Sequence, residues 1–358
     1  MCNLRIARRY SCLFGMSVFL LAGAWFGVAY AQQQPVGMVT GSPTGTYFKF
    51  GKDIAEMTSR EGLLIEPKES RGSLDNIQRI NDPQENAGFG IVQSDVLGYL
   101  MRDPQMRSVA ARLRVIFPFY LEEVHILVRD DIHSLRDLDG KQVSVGEHGS
   151  GTWLTANNIL KIKGVNVQQV NLKTEEAEVL VLEGKLDAVF YVSGKPVKAF
   201  EPLTQMANDP NDKVLVAKVH FLAVSPQSDP EIFKEYNQSS IRPQDYPWMT
   251  TEVPVAAVRA VLVAFDFSRL KTPYYRQRCD QLKTLGRVLG SRLHELQGGA
   301  HHPKWKEVTL DRSTPVPGWK FDECSEPDRT RPPVSAPSDT LNPIEKALLD
   351  KWFKRPSP

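Results

Sequence analysis

Four times along this 358-residue chain a run of β-branched and apolar residues ends, a short loop of Gly, Ser and Thr follows, and a helix-like stretch begins. The first loop is "GSPTGTYFKFG", Gly41 to Gly51, leading into a helix that runs toward Thr58. The second, "SRGSLDNIQRI", offers Ser73 as cap for a helix from Leu74 to Ile80, and the third, "GIVQSDVLGYL", puts Ser94 or Asp95 at a helix start. In the fourth, "VSVGEHGSGTWLTANNIL", Ser150 and Thr152 precede a helix from Trp153. Each repetition sets free backbone N–H groups and a hydroxyl at the positive end of a helix dipole. Such an end receives an anion without needing an arginine. Ordinary capping is the competing account of any single loop, because Ser and Thr are the common caps.

The same alternation constrains the fold. Strand-like runs at Val36 to Thr40, Leu63 to Glu66, Gly88 to Val92, Val124 to Val128, Gln142 to Gly146, Ala188 to Val192 and Lys218 to Val224 are separated by helix-like stretches. This is an α/β pattern, which builds a mainly parallel sheet covered by helices. The roughly 300 residues from Gln32 to Cys324 exceed one small core, so two lobes are expected. Ligands gather outside the carboxyl ends of strands in such sheets. Three loops lie before residue 100 and one near 150, so a cleft between facing lobes would be lined by both.

The ends of the chain read differently. Arg5, Arg8 and Arg9 precede an apolar stretch from Cys12 to Val28, and Ala29-Tyr30-Ala31 has the small-x-small pattern of a signal-peptide cleavage site after Ala31. The expectation is a secretory signal over 1–31 and a periplasmic mature chain, with an uncleaved anchor as the alternative. The segment holds three of the 44 basic residues, leaving 41 against 42 acidic ones, which gives no electrostatic case for nucleic acid. Cys279 and Cys324 persist into an oxidising compartment where a disulfide is permitted, two free thiols being the alternative. Between Cys324 and Ile344 five prolines mark an extended linker, and "IEKALLDKWF" after them has the spacing of a short amphipathic helix.

An enzyme reading needs a nucleophile, a base or a metal site. None of the seven histidines sits in an HExxH pattern, and His301-His302 beside Pro303 reads as a solvated turn. There is no G-x-S-x-G elbow and no phosphate-binding G-K-[ST] loop. Ser150 with His148 as base is the one hydrolase candidate, and no orienting acid can be assigned to it. The expectation is therefore no catalytic residue, no metal and no cofactor.

"GSPTGTYFKFGKDIA", "GSLDNIQRIN", "GFGIVQSDVLGYL", "DLDGKQVSVGEHGSGTWLTANNILKIKGV", "LEGKLDAVFYVSGKP" and "VPVAAVRAVLVAF" together resemble the TAXI family, solute-binding subunits of tripartite (TRAP) transporters. The resemblance covers about 40 to 320 and implies a type II periplasmic-binding-protein fold, two lobes joined by crossover strands. By order along the chain, the first lobe would take 32–124 and 225–325 and the second 125–224, with 326–358 as tail. The family's ligand contacts would fall on Ser42, Thr44, Thr46 and Tyr47, on Ser73, on Gln93, Ser94 and Asp95, and on Ser150 and Thr152, with Tyr191 as a pocket wall. Pro43 and Thr44 stand where members commonly carry more glycine. The implied function is capture of a small carboxylate, of the amino-acid or dicarboxylate class, for a TRAP-type permease, with a sensor module as the alternative. Arg259 in "AVRAV" is a further candidate, since an arginine reaching the cleft would pair bidentately with a carboxylate.

Overall fold

The structure is a computed structural model that describes residues 34–325; the signal-peptide and tail readings lie outside the described residues. Ten strands follow in order: β1 Val36–Val39, β2 Ile65–Lys68, β3 Ala87–Gln93, β4 Leu113–Arg129, β5 Gln142–Ser144, β6 Gln168–Val170, β7 Ala188–Ser193, β8 Val219–Phe221, β9 Asn237–Ile241 and β10 Val253–Phe265. Among them lie α1 Thr46–Ser59, α2 Ser73–Ile80, α3 Val96–Arg102, α4 Arg107–Ala110, α5 Gly151–Lys163, α6 Thr174–Leu182, α7 Pro202–Asn208, α8 Lys213–Val216 and α9 Pro273–Gln297. Among the described residues no helix is long and apolar enough to cross a membrane.

The strand order is β2-β1-β3-β10-β4-β7-β5-β6, with β8 on β4 and β9 on β10. β1 pairs in parallel with β2 and β3, and β5 with β6 and β7, while β4 and β10 run antiparallel to their neighbours. Every residue of β1 and β3 is buried, as expected of parallel strands covered on both faces.

Two long strands make two lobes out of this one sheet. β4, "LRVIFPFYLEEVHILVR", stays buried along almost its whole length. Its first half, to Tyr120, packs in a core with α1, α2 and α9, and its second half, from Val124, in cores with α5 on one face and α6 on the other. β10 makes the reverse passage: Val255 to Val258 belong to the second lobe and Ala260 to Phe265 to the first. The β4–β10 register slips between Arg259 and Val261, at the crossing itself.

The cores move one lobe boundary. Residues from 225 to about 258, expected in the first lobe, pack with the second: Ile232 and Tyr236 join the α5 face, Ile241, Tyr246 and Met249 the α6 face. Lys163 at the end of α5 also pairs with Asp229 at 2.5 Å and Glu231 at 2.8 Å. The return to the first lobe is made within β10, whose apolar residues on either side of Arg259 belong to the two cores. His301 and His302 lie half-buried in the turn that follows α9. His301 Nδ1 lies 3.0 Å from Asp53 Oδ1 on α1, and His302 Nδ1 accepts the Lys304 amide at 3.2 Å.

Cys279 on α9 and Cys324 form a disulfide with Cα atoms 5.1 Å apart. It fastens the closing segment, whose Ser325 carbonyl oxygen would lie 2.5 Å from any Cβ at Gly286. Cross-linking residues 45 apart removes chain entropy from the unfolded state, about 2 to 4 kcal/mol. The Cys279→Ser, Cys324→Ser double variant is expected to lose that much in guanidinium unfolding, and an unchanged midpoint would contradict it.

Candidate functional site

The parallel strands point their carboxyl ends at the crossing, and there a cavity of about 700 Å3 opens between the lobes. Its wall draws on the loop after β1, on Glu69 to Ser73 after β2, on Gln93 at the end of β3 and on Glu122 of β4. From the second lobe come Gly146, Glu147 and Ser150 to Thr152 after β5, Leu172 to Glu175 at the start of α6 and Tyr191 to Ser193 of β7. Ser42, Thr44, Thr46, Tyr47, Ser73, Gln93, Ser150, Thr152 and Tyr191 thus all face one space.

Three expected residues stand elsewhere. Ser94 gives its backbone to Arg259 O (2.8 Å) and Trp319 Nε1 (2.8 Å), and neither it nor Asp95 belongs to the cavity wall. Arg259 also lies outside the wall and spends Nη1 on the Phe119 carbonyl at 3.1 Å. Asp95 Oδ2 instead accepts from Thr155 Oγ1 (2.8 Å) and Tyr236 Oη (3.0 Å), both of the second lobe, while burial raises its carboxyl to about 6.

Backbone amides hold the hydroxyls in place. Ser150 Oγ caps α5 by accepting the Trp153 amide at 3.0 Å, and Thr152 Oγ1 accepts the Val192 amide at 3.1 Å. Ser73 does not cap α2: the helix begins at Ser73 itself, after Gly72 at φ 111°, and its Oγ accepts the Gln93 amide at 2.9 Å. An oxygen whose lone pair is taken by a backbone N–H keeps its own proton to donate. The hydroxyls of Ser150 and Thr152 therefore offer donors beside the first turn of α5. Asn76, which the sequence reading passed over, donates Nδ2 to Thr40 O (2.6 Å) and Ile91 O (2.7 Å), and so ties α2 to the ends of β1 and β3.

The lobes touch across the cavity. Thr46 Oγ1 donates to Gly194 O at 3.1 Å and lies 3.3 Å from Ser193 Oγ, and Thr44 Oγ1 donates to Glu175 Oε1 at 3.2 Å. At Gly72 a Cβ would stand 3.4 Å from the Gly151 nitrogen, and at Gly151 one would stand 2.3 Å from Gln93 Oε1. His148 packs against Trp153, ring centroids 4.7 Å apart, while the Ser150 oxygen serves the helix cap.

Glu122 and Glu123 were not singled out in the sequence, although an acidic pair inside "YLEEVHILV" is a signal. Both are buried. Glu123 meets Lys304 Nζ at 2.8 Å, Ser239 Oγ at 3.0 Å and the Lys195 amide at 3.2 Å. Glu122 faces the cavity, and its Oε2 accepts the Tyr47 hydroxyl at 2.5 Å. Burial pushes the Glu122 carboxyl up from 4.5 to about 8, against the lowering effect of that hydrogen bond. Between those values the folded chain holds a proton that the unfolded chain has released. Ligand-free stability should then fall with rising pH across the window, by up to about 1.4 kcal/mol per unit. Glu122→Gln is expected to flatten that slope in urea unfolding at pH 5, 6.5 and 8; an unchanged slope would show that Glu122 titrates normally.

Among solved structures the chain is similar to a putative periplasmic sulfonate-binding protein, SsuA, of a sulfonate ABC transporter from Methylobacillus flagellatus KT. That match has 12% identity over 79% of this chain and 75% of the other, with a TM-score of 0.44. A histidine kinase sensor domain with similarity to periplasmic binding proteins matches at 10% identity over 78% and 98%, TM-score 0.44. An ancestral arginine-binding protein bound to arginine matches at 14% over 76% and 95%, TM-score 0.42. Residues 38–268, which include every cavity-lining position named above, match the model of the NMT1-like family. The chain belongs to the NMT1-like family.

Proposed function

We propose that this chain is a periplasmic solute-binding protein that closes on a small carboxylate-bearing ligand and hands it to a membrane permease of the TRAP type. One observation carries the reading: an inter-lobe cavity whose wall includes the first turns of α1, α2 and α5 and two hydroxyls with protons left to donate. Helix starts and oriented donors favour negative charge. The resemblance of the loop sequences to TAXI subunits supports the permease as recipient, and the "AYA" pattern supports export.

The test is thermal unfolding of the mature chain with amino acids, dicarboxylates, keto acids and sugar acids, each at millimolar concentration. A ligand that binds only the native form stabilises it by RT ln(1 + [L]/Kd), about 2.7 kcal/mol at a hundredfold excess over Kd. At least one small acid should produce such a shift. A panel without effect would contradict the reading.

A further inference from the structure

We infer that Glu122 is the specificity residue of the cavity, a buried carboxyl that pairs with a protonated amine carried by the ligand beside its acid group. The inference rests on the solute-binding reading and narrows it.

The charges around the cavity are disposed unequally. Arg71 pairs with Asp75 at 3.1 Å, and Arg79 with Glu85 at 2.8 Å. Lys173 and Glu175 are exposed to solvent. Glu122 alone among the acidic and basic wall residues is fully buried, at 2% exposure. The ammonium at the crossing is spent on its neighbour, since Lys304 Nζ contacts Glu123 and Glu307. Among the described residues the Tyr47 hydroxyl is the hydrogen-bond partner recorded for the Glu122 carboxyl, and it occupies Oε2. Oε1 is left to the cavity.

A buried carboxylate without a cation is costly, and it either stays protonated or acquires a partner. A ligand ammonium is such a partner. It would displace the proton and form a charge-assisted hydrogen bond in a site shielded from water. An otherwise identical acid with a carbonyl or hydroxyl in place of the amine would leave the site's polar group unmatched, the situation that gives strong discrimination. The ligand's own carboxylate is then left to the hydroxyls and helix starts.

The experiment is calorimetric titration of the full mature chain near pH 7 with matched pairs: L-glutamate and 2-oxoglutarate, L-alanine and pyruvate, L-leucine and its 2-oxo acid, together with succinate. Titrations are run in phosphate and in Tris so that proton release is read from the difference in heat. At least one amino acid should bind a hundredfold or more tighter than its oxo acid and release a proton. Glu122→Gln should remove that preference while changing oxo-acid affinity less than about threefold. Oxo acids or succinate binding as tightly as the amino acids would overturn the inference while leaving the solute-binding reading intact. The pairwise preference is measured on the parent chain, so it decides the matter even if the variant folds poorly. Binding of none of these acids would overturn the inference, and the solute-binding reading would fall with it only if the wider thermal panel were also without effect.

Discussion

Gly151→Val is expected to weaken ligand binding about a thousandfold while leaving the ligand-free unfolding midpoint close to that of the parent. Gly151 is the first residue of α5, where a side chain is locally acceptable. The obstacle is the other lobe: a Cβ there would fall 2.3 Å from Gln93 Oε1, 2.6 Å from Gln93 Cδ and 2.8 Å from Ser73 Oγ. Gln93 is buried and Ser73 Oγ is held by the Gln93 amide, so neither can retreat without opening the cavity wall. Overpacking of this kind typically costs 1 to 3 kcal/mol, and the branched valine should exceed it, reaching about 4 kcal/mol, or roughly a thousandfold in Kd. The cost falls on the closed arrangement alone, and a ligand that binds that arrangement must supply it. Gly151→Ala should give an intermediate loss. Normal affinity in both variants would mean that the ligand does not need the lobes in contact.

Lys304→Met should destabilise the fold by about 3 to 5 kcal/mol, the cost of stranding one partner of a buried ion pair. Lys304 and Glu123 are each 1% exposed, and their contact is 2.8 Å. Burial raises the Glu123 carboxyl and Lys304 is the largest opposing influence, so removing the lysine leaves burial to drive it up further. Glu123 also collects Ser239 and the Lys195 amide of the second lobe, which places the pair where the crossing strands are fastened. Adding Glu123→Gln to Lys304→Met should recover much of the loss. Chemical unfolding of the two variants checks this, and a double variant no more stable than the single one would refute it.

How much of this was legible in the sequence differs by feature. The strand-loop-helix grammar located β1, β2, β3 and β5 and the loops that follow them, because burial on both faces forces continuous apolar runs and turns force Gly, Ser and Thr, while the resemblance to TAXI subunits named the nine candidate positions that line the cavity. The boundary near 225 was misplaced because a run such as "VPVAAVRAVLVAF" fits either core, and side chains as distant as Tyr236 and Tyr246 decide the matter through packing. Arg259 adjoins Ala260, the register partner of Gln93, but strand pleat and the bulge there turn it away, and Asp95 lies past the end of β3 at the start of α3, where its carboxyl meets Thr155 and Tyr236. Lys304 reaches Glu123 from 181 residues away, a contact that no local pattern announces.

Calorimetry with the most stabilising small acid, on five single variants, tests the inter-lobe site most directly. Gln93→Ala in the first lobe and Ser150→Ala and Thr152→Ala in the second should each lose about 1 to 3 kcal/mol of binding, the range for a hydrogen bond to a charged group left unmade. Ser94→Ala and Arg259→Ala, whose residues stand outside the cavity wall, should bind like the parent. The account is contradicted if the first three bind like the parent while Arg259→Ala abolishes binding.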